Sequence, residues 1–360
     1  MSIYALSQRA GETCDAAGKA MQDVFAVLAQ KGSKTIWSMP KSCSKYMKIL
    51  DLPYLACFLL FRAGKKDSIF FAIPENHVKI KLVKAIQKVK KYQIICFIND
   101  LNAFRYGNAD DPIVQEKMRG EAQVIGMADV VLMPNTNTRE LLEKNGVTSR
   151  LIPVGIWDYL MTEQEQKQLK TAQEQKKCAV QQDTGMQPAK IAFAGNLNKS
   201  EFLKSIPFSK DMGLEMHLWG KLEDKKKEEL PSVCEYHGVL KAAEVPAAVC
   251  TMDYGLVWDG TGKDEIEGGL GEYLKYNNSH KCGLYLASGI PAIVWKHSGM
   301  AAFIKEHECG IVIERLSELP GKIKQADYEQ LKKNALLVSY QLQKGYYLKQ
   351  ALEQALGEKK

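Results

Sequence analysis

The stretch Tyr276-Asn-Asn-Ser-His-Lys-Cys-Gly-Leu-Tyr-Leu-Ala-Ser-Gly-Ile-Pro291 runs directly into Ala292-Ile-Val-Trp295. It predicts a polar loop, a short helix, a tight turn and a buried strand. Asn278 or Ser279 is expected to cap the helix, because a side-chain oxygen can accept a hydrogen bond from an unpaired N–H group of the first turn. Gly289 is expected to end the helix.

Lys281 falls in the first turn of this helix, where a cation is normally unfavourable because the helix N-terminus carries partial positive charge. Its position is explained if an anion binds there, for example a diphosphate held by backbone N–H groups and one ammonium group. A surface lysine on an ordinary capped helix is the alternative, and local spacing favours neither.

Short apolar runs alternate with helical patterns along the rest of the chain, which indicates parallel sheets with crossover helices. Strands are predicted at 69–73, 94–98, 130–133, 190–194, 214–219, 255–258, 292–295 and 310–313. Residues 78–91 predict a helix whose buried face is formed by Leu82, Val83, Ile86 and Val89. In sheets of this kind the ligand binds beyond the carboxyl ends of the strands.

The length of 360 residues fits two domains of ordinary size. We expect an N-terminal Rossmann-like domain at 1–160 and a C-terminal one at 189–325. The Gln- and Lys-rich segment 161–188 is interpreted as the polar connection between them. Residues 326–360 are expected to be helical, with the last helix folding back on the first domain.

The composition excludes several classes of protein. Apolar residues make up 46% and charged residues 25% of the chain, as in a folded globular protein. The net charge of +7 suits an anionic ligand or a membrane surface but is too small to indicate nucleic acid. The nine cysteines are scattered, without a Cys-x-x-Cys pair, as is typical of reduced thiols. With no signal-peptide pattern and no apolar run long enough to span a bilayer, we expect a cytoplasmic protein.

Motifs of several enzyme classes are missing from the sequence. It contains no ATPase-type phosphate loop, no Gly-x-Gly-x-x-Gly after the first strand, no His-Glu-x-x-His and no Gly-x-Ser-x-Gly. Asp-x-Asp, the pair with which many sugar transferases hold a metal on the donor diphosphate, does not occur either. Lysines and a helix N-terminus can neutralise a diphosphate instead, so we expect neither a metal nor a cofactor.

Several segments resemble, in order, those of a bacterial glycosyltransferase family that contains the glucosyltransferase of serine-rich adhesins and related galactofuranosyltransferases. They are Phe97-Ile-Asn-Asp-Leu101 with Arg105, Ala128-Asp-Val-Val131, Gly155-Ile-Trp-Asp158, Phe193-Ala-Gly-Asn196, Gly255-Leu-Val-Trp258, Ser279-His-Lys-Cys-Gly283 and Gly345-Tyr-Tyr-Leu348. The resemblance implies an α/β fold of GT-B type, with two Rossmann-like domains, a cleft between them and a C-terminal helix folding back. It also implies transfer of a hexose from UDP-glucose or UDP-galactofuranose to a glycan, a glycoprotein or glycopeptide, or a lipid-linked acceptor.

The same resemblance suggests a donor site. Lys281 matches the family's diphosphate-binding lysine. Lys199 matches a basic residue that is usually arginine, so the charge is kept but bidentate geometry is lost. Gly238 falls at the turn that contacts the nucleoside, and Thr13 falls in the donor-facing N-terminal loop. The full set of expected donor-binding residues is Thr13, Asn196, Lys199, Gly238, Asn278, Ser279 and Lys281.

Asp100 is the candidate catalytic residue, because it follows a predicted strand in a segment that matches the family's Ile-His-Asp. That segment is Ile98-Asn-Asp100 here, so the histidine has no counterpart. Retaining enzymes of a neighbouring family carry Glu-x7-Glu before their Gly-Ile-Pro turn, and Tyr276 and Leu284 occupy those positions. We therefore expect an inverting enzyme with Asp100 as general base on the acceptor hydroxyl. Capping a helix or fixing a loop is the alternative role for Asp100.

Three functions stay open at this point. They are an inverting glycosyltransferase, a sugar-nucleotide epimerase or hydrolase of the same architecture, and a non-catalytic subunit of a glycosylation complex. The six lysines from Lys79 to Lys91 form either a solvated helix face or a surface for the inner face of the membrane. Self-association is also left open.

Overall fold

The computed structural model describes residues 2–6, 16–36, 50–74, 77–108, 110–182, 187–260, 262 and 264–357. The chain forms two compact units. The first consists of Met1–Val154 together with Tyr347–Lys360, and the second is Gly155–Tyr346. Each unit is built on one parallel six-stranded sheet.

The sheet of the first unit has the strand order β2-β1-β3-β4-β5-β6, which is the flavodoxin type of doubly wound sheet. Its strands are β1 (Ile3–Leu6), β2 (Lys34–Ile36), β3 (Ser68–Ile73), β4 (Gln93–Ile98), β5 (Val130–Met133) and β6 (Arg150–Pro153). The helices are Ala16–Gln30, Asp51–Arg62, His77–Lys90, Pro112–Ile125 and Asn137–Lys144, with a 3₁₀ helix at Asn102–Tyr106. All six residues of β3 are buried, as expected for a strand covered on both faces.

The sheet of the second unit has the order β12-β11-β10-β7-β8-β9, which is the Rossmann order. Its strands are β7 (Ala189–Ala194), β8 (Leu214–Trp219), β9 (Cys234–Tyr236), β10 (Tyr254–Val257), β11 (Ala292–Trp295) and β12 (Gly310–Ile313). The helices are Glu163–Gln182, Asp224–Lys227, Val245–Val249, Gly268–Tyr273, His280–Ala287, Ala301–Glu306, Leu319–Gln325 and Tyr328–Gln343. The strand order reverses between β7 and β10, and doubly wound sheets bind ligands beyond such a point.

The eight strands predicted from the sequence are confirmed, with closely matching ends. The predicted helix 78–91 is present as His77–Lys90, but its buried face differs from the prediction. Val89 is 73% exposed, whereas Ile80 is fully buried. The reason is geometric: with 3.6 residues per turn, Val89 lies on the opposite side of the helix from Ile80.

The segment predicted as a polar connection contains the helix Glu163–Gln182 and belongs to the second unit. The predicted C-terminal helices are divided between the units. Tyr328–Gln343 belongs to the second, whereas the final helix Tyr346–Leu356 returns to the first. There Lys31 forms an ion pair of 2.7 Å with Glu353, and the Gln93 side chain donates a hydrogen bond to the Ala355 carbonyl. Among the described residues, no helix has both the length and the apolar character needed to cross a membrane.

Candidate functional site

The helix that carries Lys281, His280–Ala287, begins without the side-chain cap that the sequence predicts. Ser279 occupies the N-cap position, but its side chain accepts no hydrogen bond from the helix. The reason is that the N–H of Cys282, which a serine cap would bind, donates to the backbone carbonyl of Ser279 instead. Asn278 and Ser279 are both buried at this helix start.

Tyr285 fixes the helix over the point where the strand order reverses. The backbone N–H of Ala194, at the end of β7, donates a hydrogen bond of 2.8 Å to the Tyr285 hydroxyl oxygen. The tyrosine ring lies directly over Gly255 of β10, where an added Cβ would come within 2.1 Å of a ring atom. One side chain therefore contacts both strands. Tyr285 is not among the site residues predicted from the sequence. It lies four residues after Lys281 and so on the same helix face.

Lys281 projects onto the same strand ends. Its Nζ lies 4.6 Å from the centroid of the Phe193 ring and 3.7 Å from Oδ2 of Asp259, the second residue after β10. The side chain is 21% exposed and donates no hydrogen bond to any described residue. The site thus presents an ammonium group, beside a helix N-terminus, whose hydrogen-bonding capacity remains for a ligand.

Other predicted donor residues follow neighbouring strands of the same sheet. Asn196 is exposed, and its side chain accepts a hydrogen bond from Asn198 N–H at the start of the turn Leu197–Lys199. Lys199 is exposed and forms no ion pair within the described part of the chain. Gly238 has a left-handed backbone (φ +86°), and its carbonyl accepts from Gly220 N–H at 2.8 Å. Thr13 lies outside the described residues.

Gly220 brings the loop after β8 against the loop after β7. An added Cβ on Gly220 would lie 1.7 Å from the carbonyl oxygen of Gly195, so only glycine fits. The N–H of Gly195 in turn donates to the Trp219 carbonyl at 2.9 Å. At the C-terminal ends of β7 and β8 the backbone therefore forms a continuous surface, which a ligand can approach closely.

Asp100 lies in the first unit, two residues beyond β4, and is buried. It is not the N-cap of the 3₁₀ helix that follows, because Leu101 holds that position and no side-chain cap is formed. Glu121 binds the N–H groups there instead. Its two carboxylate oxygens accept from Asn102 N–H at 3.1 Å and from Ala103 N–H at 3.4 Å.

Glu121 is a titratable neighbour of Asp100 that the sequence analysis missed. Burial, together with the nearby charge of Asp100, raises the pKa of Glu121 to about 7, although the two backbone N–H groups oppose the shift. A sequence signal existed: in the helix Pro112–Ile125, Glu121 stands next to Ala122 and three residues after Met118, both of which are buried. A carboxylate beside a buried helix face is a reason to look for a function.

Comparison with protein families and curated proteins gives concordant matches. Residues 3–156 match the family model described as glucosyltransferase 3-like, N-terminal domain, and residues 191–355 match its C-terminal domain. The beta-1,6-galactofuranosyltransferase WbbI of Escherichia coli K12 is 22% identical over 96% of both chains. Glucosyltransferase 3 of Streptococcus gordonii is 26% identical over 75% of this chain and 73% of its own.

Solved structures agree in fold. HepE of Anabaena in complex with UDP-glucose matches with a TM-score of 0.56 and 10% identity, over 99% of this chain and 98% of its own. Sucrose-phosphate synthase of Thermosynechococcus elongatus matches with a TM-score of 0.54 and 10% identity, over 98% and 97% of the two chains. These matches confirm the predicted GT-B architecture.

The raised pKa of Glu121 predicts a pH-dependent stability. Because the folded state holds this proton more tightly than the unfolded state, where the pKa is about 4.5, the contribution is complete below that pH and is lost as pH rises to about 7. Glu121→Gln stays neutral and keeps an acceptor oxygen. Between pH 4.5 and pH 8, we expect the free energy of unfolding of this variant to fall by about 2 kcal/mol less than that of the wild type.

Urea denaturation of the wild type and the variant at these two pH values measures the effect. Glu116→Gln, an exposed position of the same helix, is the matched control and should keep the wild-type dependence. If Glu121→Gln has the same pH dependence as the wild type, the carboxyl group is ionised throughout this range in the folded protein.

Proposed function

The chain belongs to the glucosyltransferase 3-like family of glycosyltransferases, and we propose that it transfers a hexose from a UDP-sugar in an inverting, metal-independent reaction. UDP-glucose and UDP-galactofuranose are the proposed donors, because one relative is named a glucosyltransferase and another a galactofuranosyltransferase. The proposed acceptor is a glycan, a glycopeptide or a lipid-linked sugar.

The observation that carries the donor proposal is the Lys281 ammonium group at the strand reversal, with no hydrogen bond to a described residue. A diphosphate placed there would lie against the lysine charge and the partial positive charge of the N-terminus of His280–Ala287, so a metal is not required. The proposed donor site also includes Thr13, Asn196, Lys199, Gly238, Asn278 and Ser279. Lys199 would supply a second positive charge from the turn after β7.

Replacing Lys281 separates phosphate binding from nucleoside binding. We expect Lys281→Ala to weaken UDP binding by about 1.5–3 kcal/mol, the range of a charge-assisted hydrogen bond. Uridine binding should be unchanged because the lost contact is to phosphate. Calorimetry in EDTA measures both ligands, and wild-type protein should bind UDP equally well with and without the chelator.

The exposed Lys322→Ala is the control for a general loss of positive charge in the second unit. Equal losses for UDP and uridine in Lys281→Ala would place the lysine outside the diphosphate site. Loss of wild-type UDP binding in EDTA would refute the metal-independent donor site.

We propose Asp100 as the general base. In an inverting transfer, the acceptor hydroxyl oxygen forms a bond to the anomeric carbon while the bond from that carbon to UDP breaks, and the hydroxyl proton passes to the carboxylate. Burial of Asp100 at the end of β4 and the binding of the adjacent backbone by Glu121 support this role. An inverting mechanism is also supported by Tyr276 and Leu284, because they occupy the positions at which retaining enzymes of the neighbouring family carry their two glutamates.

Asp100→Asn should leave donor affinity intact and lower kcat by about 10²–10⁴-fold, because a general base acts on the acceptor in the transition state. Turnover with each UDP-hexose and an acceptor panel gives the rate, and NMR of the product gives its anomeric configuration. Asp110→Asn, an exposed acid in the loop that follows, should retain activity. Near-normal turnover in Asp100→Asn would remove this residue as the base, and a retained configuration would refute inversion.

We also propose that the first unit contacts the inner surface of the membrane, where a lipid-linked acceptor would lie. The helices Asp51–Arg62 and His77–Lys90 run side by side, since Lys79 lies 3.6 Å from Asp51 at one end and Lys90 binds the Leu60 carbonyl at the other. Phe61 is 83% exposed and Val89 is 73% exposed on this pair. Exposed lysines beside exposed apolar side chains match an anionic membrane surface.

Vesicle sedimentation tests this contact. Wild-type protein should bind vesicles rich in phosphatidylglycerol more strongly than vesicles of phosphatidylcholine, and salt should weaken the binding. Phe61→Ser combined with Val89→Ser should reduce it, whereas Val239→Ser, at an exposed position of the second unit, should not. Equal binding by all three proteins would exclude this helix pair as the contact.

A further inference from the structure

Strands β8 and β9, at the edge of the second sheet, bring two histidines and a glutamate to one face. Leu214, Met216 and Leu218 of β8 face the hydrophobic core, so the alternating residues, including His217, face the other side. The register pairs His217 with Glu235 of β9, and His237 follows two residues after Glu235 on the same face.

The donor atoms of these three side chains are close together. His217 Nδ1 and His237 Nε2 form a hydrogen bond of 2.8 Å, which a metal ion would replace. His217 Nδ1 also lies 3.7 Å from Glu235 Oε2, and the other Glu235 oxygen lies 3.8 Å from His237 Nε2. A tetrahedral zinc ion with bonds of about 2.0–2.2 Å separates its ligand atoms by roughly 3.3 Å. The histidine nitrogens would need to part slightly, which the partly exposed His237 can allow by turning its ring.

The buried side of His217 favours the tautomer that a metal needs. Its Nε2 is buried, has no hydrogen-bond partner among the described residues and lies 3.7 Å from Oε2 of Glu215. The negative charge of this carboxylate favours a proton on Nε2, which would leave the Nδ1 lone pair directed at the cluster, as in many metal-bound histidines.

Stacking of aromatic rings explains only part of this arrangement. Trp219 and His237 stack with centroids 4.7 Å apart, which accounts for the orientation of the His237 ring. It does not account for Glu235, whose carboxylate stands near both histidine nitrogens, or for Glu215 behind His217. A metal ion would account for all four groups: His217, Glu235 and His237 would be its ligands, and Glu215 would orient the His217 ring.

We propose that His217, Glu235 and His237 form a binding site for a zinc-class divalent transition metal, with the remaining coordination position open to solvent. Two imidazoles and one carboxylate suit Zn²⁺ better than Mg²⁺ or Ca²⁺. The ion would join β9, a strand of three residues at the sheet edge, to β8. This site is separate from the Lys281 site and does not depend on the proposed transferase reaction.

Zinc titration of the full chain, without a histidine tag and after removal of metals, tests the site. Calorimetry should show one Zn²⁺ per chain, and Zn²⁺ should raise the Tm. Glu235→Gln and His237→Gln, both at exposed positions, should weaken binding at least about tenfold and abolish the Tm shift. His297→Gln, an exposed histidine on another strand end, is the matched control and should bind as the wild type does.

Substitution with Co²⁺ identifies the ligands. The visible spectrum should show the bands of nitrogen and oxygen coordination, without the charge-transfer band of a thiolate. The coordination bands should disappear in His237→Gln. The absence of saturable binding, equal binding by all variants or a thiolate band would each overturn the proposal. Uridine diphosphate binding measured on the same samples reports separately on the donor site.

Discussion

The position of Tyr285 is the constraint on which the rest of the second unit's site depends. Its hydroxyl satisfies the N–H of Ala194 at the end of β7, and its ring covers Gly255 in β10. Loss of that hydroxyl would leave a buried N–H unsatisfied, at a cost of about 1–3 kcal/mol. Because Lys281 lies one helical turn before Tyr285, the same contact that anchors the helix also aims the ammonium group at the strand ends.

Lys281 also differs from a structural ion-pair lysine. Its distance of 3.7 Å from Asp259 is longer than the 2.7 Å of the Lys176–Asp253 pair in the same unit. Lys176 donates a hydrogen bond to its aspartate, whereas Lys281 donates none within the described residues. An anion can therefore bind Lys281 without first breaking a strong pair. The Phe193 ring below it adds a cation–π contact that holds the ammonium in place at little desolvation cost.

The sequence predicts eight of the twelve strands in the described residues, because most buried parallel strands are short, almost wholly apolar segments, such as Val130–Met133 and Ala292–Trp295. It does not predict strand order: similar patterns yield a flavodoxin-type sheet in one unit and a Rossmann-type sheet in the other, because order depends on contacts between distant segments. Lys281 could be selected because a lysine in the first helical turn breaks a local rule. Tyr285 could not, since a tyrosine in an apolar helix obeys every local rule.

In both units, a side chain near the candidate residue accepts hydrogen bonds from backbone N–H groups. In the second unit Tyr285 accepts from a backbone N–H at a strand end, and in the first unit Glu121 accepts from two N–H groups just after Asp100. The two side chains, Tyr285 and Glu121, differ in charge. Burial raises the pKa of Tyr285 further above its usual value, so it stays neutral, whereas Glu121 changes its charge near pH 7. A fall in pH through neutrality therefore alters the electrostatic field at Asp100 while leaving the anchor of Lys281 unchanged.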